Sequence, residues 1–150
     1  MAEDKDALIA QYESTRAAFN AAIEGLSTAQ LVETSIDGWS VKDHMLHLAT
    51  WDDIRSSEVE RISKGFDSAW RMTEEQDEAL NEMAYEIRRN LSLDQALFEF
   101  EASRSRLLSA LRNATERGLD PSLYGAAGLK SGHEEEHMGW IRQWRERRGI

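Results

Sequence analysis

The chain has 150 residues, 41% of them apolar and 31% charged, which is enough apolar surface for a buried core and too much for a disordered chain. Its 28 acidic and 18 basic residues give a formal net charge of −10, a field that repels nucleic acid and anionic membrane surfaces. With no cysteine, structural disulfides, thiolate metal ligands and a protein-borne thiol nucleophile are all excluded.

The opening stretch, MAEDKDALIA, is acidic and lacks the apolar run of a signal peptide, and no segment approaches the ~20 apolar residues of a membrane span. A cytoplasmic protein of one domain, residues 1–150, is expected. Leu8, Tyr12, Thr15, Phe19, Ile23 and Leu26 recur at helical spacing and predict a first helix ending near Gly25. Residues 27–39 read as irregular. A second helix opens at Ser40, where Ser40 and Asp43 form a capping-box pattern, and runs to about Gly65 with Val41, Met45, Leu48, Trp51, Val59 and Ile62 as its apolar stripe. A third begins near Thr73, with Gln76 at the box position and Leu80, Ala84, Ile87 and Leu91 as its stripe. A fourth opens at Ser92 and carries Leu97, Phe100, Leu107, Leu108 and Leu111 toward Gly118. The stretch 118–132, which contains the only proline, reads as a loop. The last helix is placed from Ser131, with Glu134 at the box position, and its cationic tail IRQWRERRGI complements the helix dipole. No strand pattern occurs, so the fold class is all-α, a bundle of four long helices with shorter pieces.

All four histidines fall in two short clusters. His133 and His137 are i and i+4 on the last helix, in line with Ile141 and Trp144, so they face inward. On the second helix His44 lies within the apolar stripe and His47 on its edge. Imidazole suits zinc, nickel, iron, cobalt or copper, and an i,i+4 pair is a good bidentate template. A third imidazole from another helix would complete a set that leaves coordination positions open, as in catalytic rather than structural sites. The letters His133, Glu134 and His137 also satisfy the zincin pattern His-Glu-x-x-His, but the capping position accounts for Glu134, and Glu135 and Glu136 read as solvated. Each of Trp39, Trp51, Trp140 and Trp144 reads first as core.

The stretch IDGWSVKDHMLHLATWDD, residues 36–53, resembles the start of the second helix in the DinB-like superfamily, through Gly38, Trp39, Ser40, Val41, Lys42, Asp43, His47, Leu48 and Trp51. DEALNEMAYEIRRNLSLDQAL, residues 77–97, is similar to that family's third helix and the turn after it. The superfamily includes metal-dependent hydrolase-like proteins, thiol S-transferases and ClbS/DfsB proteins. The resemblance implies a four-helix bundle of up-down-down-up connectivity, often a homodimer. It also implies a metal site of His47, His133 and His137, with His44 left as core or as a neighbour of the ligands. The implied ion is a divalent transition metal, zinc or nickel first, with iron, manganese and cobalt as alternatives. The implied chemistry is transfer to or hydrolysis of a small electrophile, using an external low-molecular-weight thiol or a metal-bound water. A non-catalytic self-protection module of ClbS/DfsB type is the alternative. No catalytic or cofactor-binding residue beyond the three ligands is assigned; Asp77 and Asn81, also i,i+4, are candidate cleft residues. The expected partner is a small-molecule substrate.

Overall fold

Most helices begin where a side-chain oxygen is available to cap them. The computed structural model describes residues Met1–Ile150. Asp4 accepts from the Ala7 amide at 2.8 Å and starts α1 (Lys5–Ile23). Reciprocal capping boxes start α2 (Thr28–Val32) through Ser27 and Gln30, α3 (Val41–Ser63) through Ser40 and Asp43, and α4 (Glu74–Arg88) through Thr73 and Gln76. Ser92 caps α5 (Leu93–Arg112) from one side only. The loop expected over 118–132 contains single 3-10 turns at Arg117–Leu119 and Pro121–Leu123, and α6 (His133–Arg148) closes the chain with Gly149 in the left-handed conformation. There is no β-strand, and no helix is long and apolar enough to cross a membrane.

Helices α1, α3, α5 and α6 form the bundle, with α3 against α5 as its most extensive pairing and α1 packed on both α5 and α6. Two apolar clusters fill it. One gathers Leu8, Tyr12, Val59, Ile62, Leu107 and Leu111 with Leu119, Tyr124 and Leu129 from the loop. The other gathers Phe19, Val41, Met45, Leu48, Phe100, Met138, Ile141 and Trp144. Between them in every helix of the bundle lies a charged residue: Arg16 on α1, Asp52 and Arg55 on α3, Arg104 on α5 and Glu134 on α6, all buried. They form one ionic layer. Arg16 Nε donates to Glu134 Oε1 at 2.7 Å and its Nη2 to Asp52 Oδ2 at 3.2 Å. Arg104 donates to Asp52 Oδ2 from Nε at 2.9 Å and to Glu134 Oε2 from Nη2 at 2.8 Å. Arg55 Nη1 reaches Asp52 Oδ1 at 3.1 Å.

Three sequence expectations are corrected. Residues 27–39 are not wholly irregular, because the box at Ser27 supports the short helix α2. The stripe assigned to α4 holds only in part: Leu80, Ala84 and Leu91 are half-buried, but no residue of α4 is fully buried and Ile87 is 71% exposed. Helix α4 packs mainly on α3 and turns Asn81, Ala84, Tyr85 and Arg88 inward, a line that shares Ala84 with the apolar stripe but replaces Ile87 with Arg88. The box assigned to Ser131 and Glu134 does not form. Gly132 is the N-cap residue, Ser131 Oγ accepts from the His133 amide at 3.2 Å, and the Glu134 carboxylate goes to the two arginines instead.

Removing Glu134 from the layer leaves three buried guanidiniums sharing the single carboxylate of Asp52, and breaking a buried ion pair costs about 3–5 kcal/mol. Glu134→Gln is therefore expected to lower the urea midpoint strongly at an unchanged m-value, whereas Glu135→Gln, on the exposed side of the same turn, leaves it within experimental scatter.

Candidate metal centre

The dipeptide Asp37-Gly38 sets the approach to α3. Both residues have positive φ, 52° and 89°, and the flanking Ile36 and Trp39 exchange both backbone hydrogen bonds at 3.0 Å. This is the two-residue hairpin geometry that Asp-Gly favours, and it aims the Trp39 ring at the histidines one turn into α3. Trp39 lies 5.1 Å from the His44 ring and 5.3 Å from the His47 ring, and it stacks flat on Tyr85 of α4 at 5.4 Å.

The three histidines singled out from sequence come together. One nitrogen from each of His47, His133 and His137 lies within 4.8 Å of the other two. His47 Nε2 is 3.1 Å from His133 Nε2. Nitrogens held about 2.1 Å from one ion stand about 3.0 Å apart in an octahedral set and about 3.4 Å apart in a tetrahedral one, so this spacing fits a shared ion. Protonation supports the fit. Burial, with the like charges of His133 and His44 behind it, lowers the His47 pKa to about 3. Burial and the other three rings lower that of His137 to about 2, and burial with the charge of Arg55 lowers that of His133. All three are neutral at pH 7, the form that offers a lone pair to a metal.

His44 resolves into a specific role. It is 3% exposed, and its Nδ1 lies 2.6 Å from His137 Nδ1. With that nitrogen engaged, the one His137 has left for an ion is Nε2. For Nε2 to carry a lone pair, the His137 proton must sit on Nδ1 and be donated to His44 Nδ1. His44, whose pKa burial lowers to about 4, then holds its own proton on Nε2, which is buried without a partner. The opposite tautomer pair would put a proton on His137 Nε2 and close it to metal. With an ion on His137 Nε2, His44 would be the acceptor that orients and polarises His137, the part a carboxylate or carbonyl usually plays beside a metal-bound imidazole.

The set faces an open cleft of about 420 Å³ whose walls include Ile36, Asp37, Trp39, Asn81 and Trp140. Trp140 is 42% exposed, with its ring 4.7 Å from that of His137. It is a wall of the cleft, not the core residue expected from sequence; Trp51 and Trp144 are buried as expected. Trp51 Nε1 donates to Asn81 Oδ1 at 2.7 Å, which holds the Asn81 side chain at the cleft wall. Asn81 thus takes up the cleft position the sequence suggested, and Asp77 lines the adjoining space. Sequence reasoning missed Arg16, Asp52, Arg55 and Arg104. The signal was present, because each arginine falls four residues after an apolar stripe member: Tyr12, Trp51 and Phe100.

Two outcomes follow from this geometry. His44→Phe keeps the ring volume but removes the acceptor, and zinc affinity measured by chelator competition is expected to fall 10- to 100-fold. The second concerns pH. Histidines neutral in the fold but free to protonate near 6.5 when unfolded give the unfolded chain more bound protons below that pH, so stability is full above it and is lost as pH falls toward the depressed folded values. Metal-free protein is therefore expected to lose urea resistance steadily from pH 7 to pH 5, and His47→Gln/His137→Gln to show a visibly flatter profile over that window.

A model of the DinB superfamily matches residues 11–141 of the chain. Comparison with curated proteins and with solved structures gives no match.

Proposed function

The chain belongs to the DinB superfamily, and on that premise we propose that it is a metal-dependent enzyme that joins an external small thiol to, or hydrolyses, a small electrophilic substrate. The observation that carries this reading is the convergence of three neutral imidazoles from two helices on one side of an open cleft. A structural zinc site closes around four protein ligands, whereas here the fourth histidine is turned to His137 and the remaining side is open. Because the imidazoles are neutral, a divalent transition ion (zinc or nickel first) would keep its full charge there and act as a Lewis acid, lowering the pKa of a thiol or water. The chain supplies the surroundings. His44 holds His137, Trp39 and Trp140 wall the cleft with apolar rings, and Asn81 stands at its wall. With no cysteine in the chain, a thiol nucleophile has to come from solution.

Protein purified without added metal is expected to hold about one transition ion per chain, and His137→Ala to lose most of it, by elemental analysis. The loaded protein, given a panel of small thiols and a halogenated nitroarene, is expected to form the aryl thioether only when both metal and thiol are present. Equal metal content in wild type and variant would sink the site; a full ion with no turnover across the panel would favour a non-catalytic binding module on the same fold.

A further inference from the structure

Beside the three-histidine cleft lies a second chamber of about 390 Å³, within the roughly 300–1,000 Å³ typical of small-molecule pockets. His133 and Asn81 line both spaces, so the chamber opens onto the side of the site where a ligand would reach the imidazoles. Arg55, Asp77 and Lys130 also line it, and the wall toward the loop includes Gly125, Gly128 and Gly132.

Two of these groups keep hydrogen-bonding atoms that the fold does not use. The buried ionic layer contains three guanidiniums against two carboxylates, an excess of one positive charge. In Arg16 and Arg104 every nitrogen is used: the remaining Nη1 atoms donate to Phe100 O and Tyr12 O, both at 2.8 Å. Arg55 is the member that is not satisfied. Its Nε donates to Gly128 O at 2.6 Å and its Nη1 to Asp52, which leaves Nη2 without a partner, on the one arginine of the layer that lines the chamber. Across the same space the carboxylate of Asp77 makes no hydrogen bond, and its Oδ1 is buried with no donor. No ion pair joins Asp77 to Arg55 or to Lys130, whose Nζ lies 3.5 Å from Glu3. A buried carboxylate oxygen with no donor is costly, and with the unused Nη2 of Arg55 on a residue lining the same space the two call for a molecule that carries both complements.

We propose that this chamber binds a small zwitterion of amino-acid type, its carboxylate on Arg55 Nη2 and its ammonium on the Asp77 carboxylate. Under the thiol-transfer reading, on which only this last step rests, the zwitterion is the thiol itself, its sulfur directed past Asn81 and His133 to the three histidines.

The charge recognition is tested on metal-free, full-length protein by calorimetry with three probes whose sulfur is methylated: S-methyl-L-cysteine, 2-(methylthio)ethylamine and 3-(methylthio)propionate. The zwitterion is expected to bind at least tenfold more tightly than either single-charge probe. Asp77→Asn should erase its advantage over the propionate, and Arg55→Gln its advantage over the amine. Asp77 has no partner to lose, so that variant decides the matter even if Arg55→Gln fails to fold. Equal affinity for the three probes, no binding of any, or a preference unchanged by Asp77→Asn overturns the assignment. A second arm measures zinc content and then repeats the titration with L-cysteine on the loaded protein. Discrimination without bound zinc supports the chamber and removes the metal reading, whereas bound zinc without discrimination does the reverse.

Discussion

The molecule is organised around a layer of charge buried between two apolar clusters. Asp52 of α3 and Glu134 of α6 are held by Arg16 of α1 and by Arg104 of α5, so each helix of the bundle contributes at least one member. Apolar contacts tolerate small slides and rotations of one helix on another, because many packings of similar volume are close in energy. A hydrogen-bonded ion cluster does not, since moving one carboxylate by a fraction of a turn strands two guanidiniums. Glu134 sits between His133 and His137 in sequence and on the neighbouring face of the same first turns. Clamping it to α1 and α5 fixes the rotation of α6 about its own axis, and with it the direction in which both histidines point.

The chemistry of the centre follows from its depth. Burial makes the charged imidazolium unfavourable, so the rings are neutral and able to donate lone pairs, and their proximity to one another reinforces that. The same burial leaves His44 with a ring nitrogen that has no partner, a polar cost kept beside the site. That cost is intelligible if His44 is there to accept the His137 proton, since the arrangement that strands its Nε2–H is the one that frees His137 for a metal.

The layer and the cleft are also electrically continuous. Asp52 is a hub for all three arginines, and Arg55, the one of them with an unused nitrogen, lies near enough to His133 to act on its charge. A structure that needed the layer only for stability could balance it with equal numbers of each sign. Placing the unused nitrogen on the one arginine that borders the chamber, with an unpartnered aspartate on the α4 side, turns a packing device into a recognition surface.

The sequence by itself determined most of the helices and much of the site. Capping patterns at Ser40, Thr73 and Ser92 are local, because the side chain that caps and the amide it meets are three residues apart, so they need no tertiary information. His133 and His137 share a face by helical spacing alone, the likeness of residues 36–53 to a known bundle family pointed to His47 rather than His44, and the structure brings one nitrogen of each of the three within 4.8 Å. Where a residue has two competing partners, sequence chose the nearer one and failed. Glu134 could cap its own helix or reach two arginines 30 and 118 residues away, and the buried ion pairs won because Asp52 alone cannot neutralise the guanidiniums of the core. Helix α4 departed in part for a related reason: Ile87 of its apolar line faces outward, and the face turned to the bundle carries Asn81 and Tyr85 beside Ala84 because it walls a cleft and not a core. What only the tertiary structure decided was which polar groups meet across helices, since that depends on the rotation of each helix about its axis, and helical periodicity leaves that rotation free.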